Sequence, residues 1–136
     1  YLFADRRFYR GNADRNGYMV DVRSTGCVEG WVAHATASQL INPANVVVSI
    51  NNWYKLTFTW DSSFLKLYLN GVSIGTPPAQ TVVPVSNVHN LYIGKDPVYA
   101  LTKVTGMIAL ERAENLAISA SVELNRFNQE KHLFGI

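Results

Sequence analysis

A chain of 136 residues with 48% hydrophobic and 16% charged residues is long enough for one domain with a real core and too apolar to stay disordered. Its formal charge of +2 speaks against a nucleic-acid footprint: Arg6, Arg7, Arg10, Arg15 and Arg23 are interleaved with Asp5, Asp14 and Asp21, as on a mixed solvated face. The lone Cys27 excludes an internal disulfide, and no run approaches the roughly 20 apolar residues of a membrane span, so membrane insertion is not expected.

In chain order, alternation with a period of two dominates. Short strands are predicted at 1–4, 7–9, 17–23 and 28–34, divided by Gly and Asn turns. Asn42-Pro43 breaks the chain before a strand at 46–50. The clearest stretch follows, NNWYKLTFTWDSSFLKLYLNGVSIGT, residues 51–76. On strand 53–60, Tyr54, Leu56, Phe58 and Trp60 share one face, and Lys55, Thr57 and Thr59 the other. On strand 64–69, Leu65, Leu67 and Leu69 oppose Phe64, Lys66 and Tyr68. Such alternation marks antiparallel strands with one face on a core and one face wet. Trp53 is read as a core residue, and Trp60 and Tyr68 as packing residues.

Asp61-Ser62-Ser63 closes the hairpin, and Asn70-Gly71 supplies the two positive-φ positions of a type I′ turn. After a Pro77-Pro78 loop, strands are expected at 82–85, 90–94 and near 106–113. Ser119 can cap a helix over 120–127, with Ala120, Leu124 and Phe127 on one side. Many short strands and one terminal helix mean an all-β antiparallel two-sheet sandwich.

The run Asn52-Trp53-Tyr54-Lys55-Leu56-Thr57-Phe58-Thr59-Trp60-Asp61 resembles the W-x-x-V-A-V-T-Y-D strand of laminin-G-like, concanavalin A-like jelly rolls. Lys66-Leu67-Tyr68-Leu69-Asn70-Gly71 is similar to their x-L-Y-V-N-G, and Leu91-Tyr92-Ile93-Gly94 to their L-x-I-G. Residues 106–119 resemble the closing G-x-I-D-E-V-R-I-Y-N-R-A-L-S, with Ala109 and Leu110 in place of its acidic pair. The resemblance covers residues 51 to about 127 and implies a concanavalin A-like sandwich over residues 1–136. The family's usual opening strand is not matched, and the chain opens at Tyr1 without a signal peptide. A segment of a longer chain, or a neighbouring subunit in an oligomer, is therefore expected to complete the sheet.

Relatives of this fold that hydrolyse glucans carry an E-x-D-x-x-E triplet, and none occurs here. Glu111 and Glu114 would point to opposite faces of a strand, and Glu29 stands alone beside Gly30 and Trp31. No catalytic activity is expected. The resemblance admits calcium, with Asp14 and Asp61 as metal-ligand candidates and Asp96 as a further rim carboxylate, although Asn12–Gly17 also reads as a plain turn. His34, His89 and His132 are scattered, so Cys27 has no partner base in view. Aromatic rings stack on sugars and loops carry function more often than strands, which makes Tyr99, Asp96, Asn16 and Trp31 the ligand-binding candidates. The expected function is a non-catalytic module that binds glycan, extracellular or at a cell surface. The alternative is an assembly module of a virion or other large particle, with neighbouring protein subunits as partners.

Overall fold

The computed structural model describes residues 16–23, 25–34, 37–61, 63–79, 81–83, 93–94, 106–110, 112–114 and 116–136. The predicted strands at 1–4 and 7–9, half of that at 82–85 and most of that at 90–94 lie outside the described residues. Among the described residues, two antiparallel three-stranded sheets face each other. The first contains β1 (Asn16–Val22), β2 (Val28–His34) and β3 (Ala37–Ile41), with β2 central. The second contains β4 (Leu56–Trp60), β5 (Leu65–Leu69) and β6 (Val72–Ile74), with β5 central. A helix α1 (Ala120–Glu130) and a 3-10 helix (Lys131–Phe134) follow.

The register follows from the alternation. Leu56 pairs with Leu69, Phe58 with Leu67 and Trp60 with Leu65, so the apolar residues of β4 and β5 share a face. That face meets Val20, Val28, Val32 and Ile41 of the first sheet, and together with Leu56, Leu65, Leu67 and Val82 they form the core. Phe58, Trp60 and Leu69 are half-buried against it. Asn70 and Gly71 both take positive φ, 51° and 78°, as a type I′ turn requires.

The two sheets approach closely at Gly30. A Cβ there would lie 2.6 Å from the Phe58 ring and 3.1 Å from Ile41 Cγ2. Gly30→Ala should therefore destabilise the fold by about 1–3 kcal/mol, the usual cost of overpacking. A urea melt that shows no shift in midpoint would contradict this contact.

Four expectations are corrected. Ala37–Ile41 is a strand that the sequence reading passed over, whereas 46–50 forms only a single bridge, Val47 with Cys27, against the β1–β2 turn. The strand expected near 106–113 joins no ladder in its described residues, and Leu110 sits at φ 55°. Trp53 lies outside the core, half-buried with its ring 4.8 Å from that of Phe134. The face of the β4–β5 hairpin predicted to be wet is covered: Lys55, Thr59 and Tyr68 are buried, at 8%, 7% and 2% exposure.

Helix α1 lies over that face. Ser119 accepts from Val122 N at 3.4 Å as its N-cap, as expected. Of the predicted Ala120/Leu124/Phe127 side, Leu124 and Phe127 lie against Gly71 in the β5–β6 turn, although Leu124 stays 44% exposed. Glu123 is buried, its Oε1 accepting from Thr57 Oγ1 at 2.9 Å and facing Lys55 Nζ at 3.3 Å. Because this sheet face carries a lysine and hydroxyls, a carboxylate fits it better than a leucine does. Glu130 approaches Lys55 at 3.1 Å and Arg112 at 3.5 Å, and Glu114 bridges Arg112 to Arg126, so an ion-pair chain fastens the helix to the sheet.

Candidate functional site

Side chains on β2 alternate: Val28, Gly30 and Val32 turn to the core, and Glu29, Trp31 and Ala33 to the other face. Glu29 is completely buried, so its carboxylate needs partners. It finds three. Arg23, just past β1, brings Nε to 2.7 Å of Oε2. Trp31, two residues along β2, donates Nε1 to the same oxygen at 3.2 Å. Asn42, just past β3, donates Nδ2 to Oε1.

The topology explains the convergence. Val22 pairs with Val28, and Gly30 with Ile41, so the end of β1 and the end of β3 flank the start of β2. Arg23 is held there by the tight turn, with its N–H on Cys27 O and its carbonyl taking Gly26 N–H, both at 2.8 Å. Glu29 raises the Arg23 pKa further, by hydrogen bonding first and by charge second, so the guanidinium stays ionised. The Arg23 side chain is 54% exposed, Asn42 is exposed and Trp31 is half-buried. Among the described residues, no group engages the Nη amines of Arg23 or Oδ1 of Asn42. The result is a patch that holds guanidinium donors, an amide and an indole together around one buried acid.

A laminin G family model, described as the concanavalin A-like lectin/glucanases superfamily, matches residues 3–121. The chain belongs to this superfamily. A search of curated proteins finds no match. Among solved structures, the domain is similar to residues 221–444 of an S-layer domain-containing protein from Clostridium thermocellum, with a TM-score of 0.53 and 19% identity over 93% of this chain and 70% of that one. At that identity the likeness is one of fold.

Of the sequence candidates, this superfamily domain places Trp31 inside the Glu29 patch. Asn16 opens β1 and pairs with His34, while Trp31 pairs with Met19, so the two candidates are separated by three positions, about 10 Å along the strand. Asp61 lies in the β4–β5 turn of the opposite sheet. Its Oδ1 accepts from Ser63 N and Phe64 N, both at 2.7 Å, and its Oδ2 meets Lys66 Nζ at 3.0 Å. These bonds, those from Phe64 and Ser63 foremost, hold its carboxyl below the usual range. Asp14, Asp96 and Tyr99 lie outside the described residues. Among the described residues, no three His, Cys, Asp or Glu side chains come together as a metal cluster, and no helix is long and apolar enough to cross a membrane.

Sequence reasoning named Glu29 and Trp31 but missed Arg23 and Asn42. In the sequence Arg23 reads as part of a solvated face and Asn42 as a breaker before Pro43. The i,i+2 spacing of Glu29 and Trp31 on a strand was the one local signal available.

Proposed function

We propose that this domain is a non-catalytic recognition module of an extracellular or cell-surface protein, and that it binds carbohydrate through the Glu29-organised patch. One observation carries the reading: a fully buried carboxylate fixes Arg23, Trp31 and Asn42 while Arg23 and Asn42 stay exposed. A sugar hydroxyl both donates and accepts. The guanidinium amines supply donors, Asn42 Oδ1 supplies an acceptor, and the Trp31 ring offers an apolar surface to C–H groups. Because the partners are already immobilised, little side-chain entropy is lost on binding. Glu29 serves here as an organiser and not as an acid or base: both its oxygens are engaged, and Arg23 stands against it. Tyr99 and Asp96 remain proposed loop contributors to ligand contact, and calcium at Asp14 or Asp61 remains a proposed accessory.

The test is a glycan array, followed by titration of the strongest hit with Arg23→Gln and Trp31→Ala domains. Each substitution should weaken binding at least about tenfold, equivalent to ~1.4 kcal/mol. No retained glycan, or variants that bind as the parent does, would defeat the proposal. A second reading, an assembly module that contacts neighbouring subunits, is favoured by the S-layer domain in the name of the structural neighbour. Concentration-dependent self-association in the absence of any glycan binding would select it.

A further inference from the structure

On the far side of Lys55 from the core, a cleft of about 190 Å³ opens between the entry to β4 and the C-terminal helices. Trp53, Tyr54, Phe127 and Phe134 bring four aromatic side chains to it, and Met107 and Ile108 close another wall. Trp53 and Phe134 meet at 4.8 Å with their planes 44° apart, so they form a fixed corner. Met107 is 76% exposed, and its unbranched thioether can adapt to an occupant. An apolar cavity of about 150 Å³ admits benzene, so this volume suits a six-membered ring with a short substituent.

Charge selects the substituent. Glu130 at the cleft is drawn to Lys55 at 3.1 Å and to Arg112 at 3.5 Å, so its charge is offset. Lys131 stands with Nζ 5.7 Å from the centroid of the Phe127 ring, and among the described residues it meets no carboxylate. Among the side chains that line the cleft, the uncommitted charge is therefore positive. Aromatic walls alone would favour a quaternary ammonium, but the lysine already occupies that role and repels a second cation.

We infer that this cleft is a binding site for small carboxylates that carry an aromatic ring, with the ring in the Trp53–Phe134 corner and the carboxylate against Lys131. It is separate from the Glu29 patch and independent of glycan binding.

Phenylacetate and benzyltrimethylammonium are the probes, titrated into the whole chain by calorimetry and followed by tryptophan fluorescence. Phenylacetate should bind saturably with Kd below about 10 mM, and the cation more weakly. Lys131→Gln should weaken phenylacetate about three- to fivefold without lowering the melting temperature, the range expected for a partly exposed ion pair. Trp53→Ala would also remove packing on Phe134, so Met107→Trp, which fills the cleft from an exposed position, is the second variant and should abolish binding. Absence of saturation, a cation that binds as well as phenylacetate, or affinity unchanged in either variant would overturn the assignment.

Discussion

Leu67→Ala is expected to cost about 4 kcal/mol in a urea or thermal melt, the largest single loss predicted for this domain. Leu67 is fully buried at the middle of β5, the central strand of its sheet. It pairs with Phe58 on one side and Ile74 on the other, and it faces the valines of β1 and β2 across the sandwich. Truncation removes three carbons, one methine and two methyls, from water-free surroundings and leaves a cavity that two pleated sheets cannot close. Domains of this kind are stable by about 5–15 kcal/mol, so the loss takes a large share of the total and should lower Tm by roughly 10–20 °C. The denaturant slope should stay the same, since the two states bury the same surface otherwise. A loss below about 1 kcal/mol would mean that β5 does not lie between two layers.

Glu123→Ala is expected to cost about 3 kcal/mol, by a different mechanism. The Glu123 side chain is 1% exposed and that of Lys55 9%, with Nζ and Oε1 3.3 Å apart. Removing the carboxylate strips the ammonium of its more deeply buried counter-charge and leaves the Thr57 hydroxyl without its 2.9 Å acceptor. Glu130, at 3.1 Å from the same ammonium, keeps the effect at the low end of the range for a broken buried pair. The double variant Lys55→Met with Glu123→Leu should recover most of the loss, because matched apolar groups need no counter-charge. A double-mutant cycle reads the coupling directly, and additive single effects would show that the pair does not pin α1 to the sheet.

The ordering of these two effects reflects what each residue replaces. Leu67 gains from burial alone, whereas the Glu123–Lys55 pair recovers by mutual attraction what both charges lose on leaving water. The pair therefore gives less net stability than its distance suggests and more orientation. It selects which face of α1 meets β4, and so shapes the aromatic cleft beside it.

Local sequence determined the parts of this protein that depend on neighbours in the chain. Alternation set β1, β2, β4 and β5 and put Leu56, Leu65 and Leu67 on one face, Asn70-Gly71 set the type I′ turn, and Ser119 set the start of α1. The order and spacing of these signals identified the superfamily. A period of two separates the faces of a strand but carries no information on what covers each face. Hence the Lys55/Thr57/Thr59 side read as wet, and only the docked helix, matching Glu123 to that lysine, decided otherwise. The Glu29 patch was illegible for the same reason: Arg23, Glu29 and Asn42 meet because β1 and β3 flank β2, and pairing between strands is a property of the assembled sheet, not of any short window of residues.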